Sequence, residues 1–197
     1  MTPDIQSQEN PQAAPDASVQ PGPRVVPGRE CGTCTLCCKV MAIDELGKPP
    51  GVWCQHIVRN KGCKIYETRP AECRSFYCHW MLEKSLPAEW KPERAKFALV
   101  VNAGGHVTAF VDPGFPGAWR SEPYYGVFKR WAAEGVRASP ARLVLARIGT
   151  RGVVILPDRE IDVGTVTANM TLQLDATPDG QISVRKLLRE TQEGAAP

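Results

Sequence analysis

The chain has 197 residues, 43% of them hydrophobic, enough for one large or two small domains with a buried core. Its formal charge of +3 counts eight cysteines as neutral; eight thiolates on two divalent ions would bring the total to −1, and four on a cluster core of charge two would leave +1. Such near-neutrality gives no support to a nucleic-acid partner, and the lack of any run of about 18 apolar residues predicts no membrane span.

Residues 1–29 are rich in Pro, Gln, Ala, Ser and Asp, with few large apolar side chains to repay the entropy of ordering, so they read as a disordered tail. They hold no apolar run, no early positive charge and no cleavage-type site after one, which predicts a cytosolic protein rather than an exported one. Residues 30–94 carry all eight cysteines, in short motifs separated by Gly47-Lys48-Pro49-Pro50-Gly51, Lys61-Gly62 and Arg69-Pro70. Pro70 suits the first turn of a short helix carrying Cys73 and Phe76. Cys73 and Cys78 lie five residues apart, about 140° around an α-helix, so either that helix ends between them or they serve different sites.

From residue 95 to about 190 the pattern becomes that of a small α+β domain with antiparallel strands and one amphipathic helix. Phe97–Val101 and His106–Val111 are strand-like runs joined by the hairpin connection Asn102-Ala103-Gly104-Gly105. Tyr124, Val127, Phe128 and Trp131 fall at i, i+3, i+4 and i+7, one apolar helical face ending near Gly135. Arg142–Ile148 and Val153–Leu156 read as strands around Gly149-Thr150-Arg151-Gly152. A last hairpin joins Met170–Leu174 to Gln181–Val184 through Thr177-Pro178-Asp179-Gly180.

The chemistry sits in Cys31-x-x-Cys34-x-x-Cys37-Cys38, followed by Cys54, Cys63, Cys73 and Cys78. A stretch so rich in loops needs a crosslink, and in a cytosolic protein clustered Cys-x-x-Cys spacing reads as metal binding rather than disulfide formation or free thiols. Thiolates bind zinc tetrahedrally, usually four to a structural site, so eight match two closed sites, with Cys37 and Cys38 free to diverge toward different metals. The competing assignment is one iron–sulfur cluster, because Cys31, Cys34 and Cys37 reproduce the C-x2-C-x2-C loop of ferredoxin-type clusters, though without the expected fourth cysteine and following proline. An iron–sulfur cluster is preferred over zinc only slightly.

Cys31-Gly-Thr-Cys34-Thr-Leu-Cys37-Cys38 and Gly62-Cys63-Lys-Ile-Tyr66-Glu-Thr-Arg69-Pro70-Ala-Glu-Cys73-Arg74-Ser-Phe76-Tyr-Cys78, in that order, resemble the YkgJ-type cysteine-cluster family, a zinc- or iron-chelating domain named for its CxxCxxCC motif. The resemblance covers residues 29–82. It implies a metal-chelating cytoplasmic bacterial protein and says nothing of residues 95–197. Similar clusters in flagellin lysine methylases, which are associated with an iron–sulfur cluster, add weight to iron, but no Gly-rich turn suited to S-adenosylmethionine is visible here.

Around the cysteines, Arg69 and Arg74 are candidates to offset a negative cage, whereas Tyr66 and Phe76 are expected to pack a small core. His56 and His79 flank cysteines and are not needed as ligands. His106 is expected to be structural. The Tyr124/Phe128/Trp131 stripe is expected in the core. The loop Asp112–Trp119 is either a connector or a cover over the cage or a partner site. Absence of GxSxG, phosphate-loop and HExxH motifs argues against nucleophilic, phosphoryl-transfer and metalloprotease chemistry. The function expected is metal or cluster binding with a redox or electron-transfer role; the alternative is a zinc-stabilised adaptor for an unspecified protein partner.

Overall fold

Gly and Pro residues punctuate the cysteine-rich segment and keep its elements short. In the computed structural model, which describes residues 24–58, 61–176 and 181–188, these elements are α1 (Cys37–Val40), β1 (Ile57–Val58), β2 (Gly62–Cys63), α2 (Ala71–Ser75), α3 (His79–Leu82) and α4 (Pro92–Ala95). Pro70 stands at the N-cap of α2. The helix stops at Ser75, Phe76 is already extended, and Cys78 caps α3. The break anticipated between Cys73 and Cys78 is therefore present, while Phe76 lies just beyond the helix expected to carry it.

The remaining elements are β3 (Phe97–Val101), β4 (Val107–Val111), α5 (Tyr124–Arg137), β5 (Val144–Ile148), β6 (Arg151–Ile155), β7 (Glu160–Thr165), β8 (Met170–Ala176) and β9 (Ile182–Leu188). The architecture is α+β. One five-stranded sheet has the order β3-β4-β5-β6-β7, and β8 pairs with β9 as a separate hairpin. No helix of the described residues is long and apolar enough to cross a membrane.

Three sequence-based expectations need correction. The sheet is mixed rather than antiparallel, because β4 and β5 pair in parallel, Val107 opposite Val144. Parallel neighbours need a crossover, and the α5 segment supplies it. Secondly, β7 was not anticipated, although Ile161 and Val163 alternate with Asp162 and Gly164 in the strand manner. Thirdly, the β5–β6 turn is only Gly149-Thr150, with Ile148 opposite Arg151 and Gly149 at φ 58. The left-handed glycine reverses the chain in two residues, so Arg151 and Gly152 join the strand. The turn placed at residues 177–180 lies outside the described residues, as does the tail up to residue 23. Residues 24–29, read as tail, pack on the protein: the Val26 amide donates to the Met81 carbonyl at 2.8 Å.

Alternation along the strands divides the sheet into two apolar faces. Phe97, Leu99, Ala109, Val111, Val144, Ala146, Val153 and Ile155 meet Phe128 and Ala132 of α5 on one face. That layer also contains Leu86, Trp90 and Ala95, with Trp80 packed against it, so residues from the cysteine-rich segment share its core. On the other face, Ala98 and Phe110 pack against Leu36 and Val40. The β8–β9 hairpin covers the rest of that face through Leu172, Leu174, Ile182 and Val184, which join Val154 and Val163. Thus the cysteine-rich segment packs on both sides of β3, the strand that ends the sheet. The aromatic stripe of α5 is core, as its spacing suggested: Phe128 is fully buried, and Tyr124 and Trp131 pack against the same cluster.

Candidate metal centre

Local turns bring the cysteines to one place. The Cys34 amide donates to the Cys31 carbonyl at 2.8 Å, closing a turn through Gly32 at φ 53. Leu36 precedes α1, so Cys37 and Cys38 occupy its first turn. The Cys54 amide donates to the Cys38 carbonyl at 3.0 Å, tying the next cysteine to the same helix. Cys63 lies on β2 opposite Ile57, Cys73 in α2, and Cys78 at the head of α3. All eight line one partly open cavity of about 410 Å³, and all eight are free thiols. Cys54 and Cys78 are buried and Cys31 is exposed.

Cys37 and Cys38 do not diverge: their sulfurs are 4.0 Å apart on the same cavity. Two sulfurs on one tetrahedral zinc with Zn–S bonds of 2.3 Å stand about 3.8 Å apart, so this pair already has nearly that spacing. Cys31 Sγ lies 3.5 Å from the Met81 thioether sulfur. Among the described residues, no three His, Cys, Asp or Glu side chains converge closely enough to hold an ion. Metal uptake therefore requires the thiols to close together. The donor set itself, eight reduced thiols on one largely apolar cavity, has the chemistry that zinc and iron–sulfur clusters need. A further sign is Arg69, which also lines the cavity: its Nε is buried without a hydrogen-bond partner.

Electrostatics separates the thiols. Burial pushes Cys34 and Cys73 up, and does the same to Cys31, which is exposed as a residue but lines the cavity; neighbouring thiols push Cys31 and Cys73 further in the same direction. Cys78 is pushed up to about 11, chiefly by burial. In the adjacent pair, the hydrogen bond from Cys37 stabilises the Cys38 thiolate and lowers it to about 7, with Lys48 and Arg69 assisting, while Cys37 moves well above its ordinary value. A metal must therefore displace protons from most of these groups.

The walls are anchored by residues the sequence reading did not single out. Arg29 donates to the carbonyls of Trp80, Glu83, Lys84 and Leu86, and its guanidinium lies 4.7 Å from the Trp80 ring centroid. This joins the chain just before Cys31 to the carbonyls after Cys78. The Lys39 ammonium pairs with the buried Asp112 carboxylate, which also accepts from the Gly114 amide. Lys48 is 8% exposed. Its ammonium donates to the carbonyls of Lys39, Met41 and Pro49. In sequence it sits inside a Gly/Pro spacer, where a lysine signals solvent; in the structure a bridge to Ile43 closes that turn.

The other candidates divide. Arg74 lies off the cavity wall and donates to the Arg69 carbonyl at 2.7 Å, fixing the backbone of the arginine that does line it. Tyr66 is 56% exposed rather than core, with Arg69 stacked 3.9 Å from its ring centroid; Phe76 lines the cavity. His56 is on the wall and His79 is not. His106 Nδ1 accepts from the Leu143 amide at 3.0 Å, a structural role. The loop Asp112–Trp119 connects β4 to α5, buries Trp119 completely and leaves Phe115 exposed. No protein-family model, no curated protein and no solved structure matches the chain.

Proposed function

We propose that the chain is a metal-binding protein that holds an iron–sulfur cluster, or alternatively zinc, through Cys31, Cys34, Cys37, Cys38, Cys54, Cys63, Cys73 and Cys78. The observation that carries this reading is the meeting of all eight reduced cysteines on one cavity, although they come from separate turns, helices and a strand. Its resemblance to the CxxCxxCC family points the same way. Iron–sulfur chemistry would supply one-electron transfer or redox sensing, and zinc a structural crosslink. The residues' own part is to gather the sulfurs, exclude water with Met41, Phe76 and Met81, and place the Arg69 and Lys48 cations near thiolate charge.

One observation favours the second reading, a zinc-stabilised adaptor without catalytic activity: the cysteine-rich segment shares its apolar core with the sheet, as a structural module would. Metal and sulfide analysis of anaerobically purified protein tests the proposal. Iron with acid-labile sulfide and a brown colour supports the cluster; stoichiometric zinc in a colourless protein supports the alternative. Each of Cys31→Ser, Cys34→Ser, Cys37→Ser and Cys38→Ser should lower the bound metal, since a closed thiolate site cannot spare a ligand. Full metal content in all four variants would remove the CxxCxxCC motif from the site.

A further inference from the structure

Lys48 combines three features. It is almost wholly buried, its donors go to neutral carbonyls, and the groups acting on its charge after burial itself are all thiols, those of Cys54, Cys38, Cys37 and Cys73. A buried ammonium is costly unless an opposite charge accompanies it. Hydrogen bonds to carbonyls satisfy its protons and leave its charge uncompensated.

We propose that Lys48 is the built-in counter-ion of the cysteine cavity, a positioning residue whose fixed charge favours a metal assembly of net negative charge. This rests on the metal reading above. Four thiolates around one divalent ion leave two negative charges, and a second centre doubles them. The carbonyls of Lys39 and Met41, at the end of the one-turn α1, present their own partial negative charge to the ammonium. Lys48 binds both of these carbonyls and opposes that charge. It thereby orients the helix that carries Cys37 and Cys38 while compensating the charge those sulfurs acquire. Arg69, Lys61 and Lys91 line the cavity wall, whereas Lys48 is held on the α1 carbonyls rather than on that wall.

The test measures Zn2+ affinity by competition with a chromophoric chelator, for wild type, Lys48→Gln, which keeps a donor and loses the charge, and Lys48→Arg, which keeps both. Urea unfolding of each Zn2+-saturated protein separates loss of fold from loss of charge. Lys48→Gln is expected to bind Zn2+ at least about tenfold more weakly, and Lys48→Arg to stay within about threefold of wild type. Lys48→Met serves as a second neutral variant under the same tenfold criterion if Lys48→Gln does not fold. Equal affinity in a folded neutral variant overturns the proposal and leaves the metal site standing. So does a folded Lys48→Arg as weak as Lys48→Gln, which makes the lysine a backbone tether rather than a charge. A wild type that binds no Zn2+ overturns this inference and the zinc alternative, while the iron–sulfur reading stands or falls on the iron and sulfide analysis.

Discussion

Stripping the metal is expected to open residues 31–78 to hydrogen exchange while β4, β5 and β6 stay protected. The cysteine-rich segment has little apolar core of its own beyond Leu36, Val40 and Ile43, since much of its interior is the thiol-lined cavity. A structural zinc contributes on the order of 10 kcal/mol to a peptide that folds with it, comparable to the whole stability of an ordinary domain. Loss of that contribution therefore exceeds what three buried aliphatic side chains can offset. Opening should stop near Trp80, because Trp80, Leu86 and Trp90 belong to the sheet's core and need no metal. In parallel, Cys73 and Cys78 should resist alkylation as strongly as Cys31 to Cys38 until the metal is removed. Native-like protection of residues 31–78 in metal-free protein would falsify the coupling, and rapid modification of Cys73 and Cys78 alone would reduce the site to a smaller centre.

Trp90→Ala is expected to be the most destabilising single change outside the cysteines, by about 3 to 5 kcal/mol. Trp90 is 2% exposed and meets four rings. It lies edge-on to Phe97, Tyr124 and Phe128 at centroid distances of 5.8, 5.1 and 5.6 Å, and tilted against Trp131 at 5.5 Å. No neighbour can collapse into the space of an indole held from four directions, so the cavity term adds to the lost transfer energy. Urea unfolding of the metal-loaded protein measures it, with Phe115→Ala as the comparison. Phe115 is 53% exposed, and its truncation should stay within about 0.5 kcal/mol. A Trp90→Ala shift no larger than that of Phe115→Ala would mean that the cysteine-rich segment and the sheet do not share a core.

Much of this organisation was legible where the signal is local. The β3–β4 hairpin and α5 follow from runs and spacings inside a single window, and their ends fall within about two residues of expectation. The cysteines of the motifs around Cys31 and Cys73 line one cavity, as their shared residue type suggested. What stayed hidden is non-local. Nothing near Val107 indicates that its partner is Val144, 37 positions later. Nothing near Arg29 indicates that its guanidinium will gather carbonyls from residues 80 to 86. Lys48 misled because charge predicts exposure, and it is buried only once α1 and Cys54 fold over it. Trp90 was legible as apolar but not as belonging to the sheet, since it precedes the first strand.

The position of β3 has a consequence for the fate of the protein in a cell. Its five residues, Phe97-Ala98-Leu99-Val100-Val101, carry no charge and no proline, and they end the sheet with α1, α3 and α4 packed beside them. The opposite edge, β7, is blunted by an irregularity at Val163 and a left-handed Gly164. β3 has no such device and depends on its neighbours. Should α1 loosen when metal is scarce, a flat apolar strand becomes a template for pairing with other chains. Metal supply would then decide whether newly made copies stay dispersed or clump, and metal starvation would register as lost solubility.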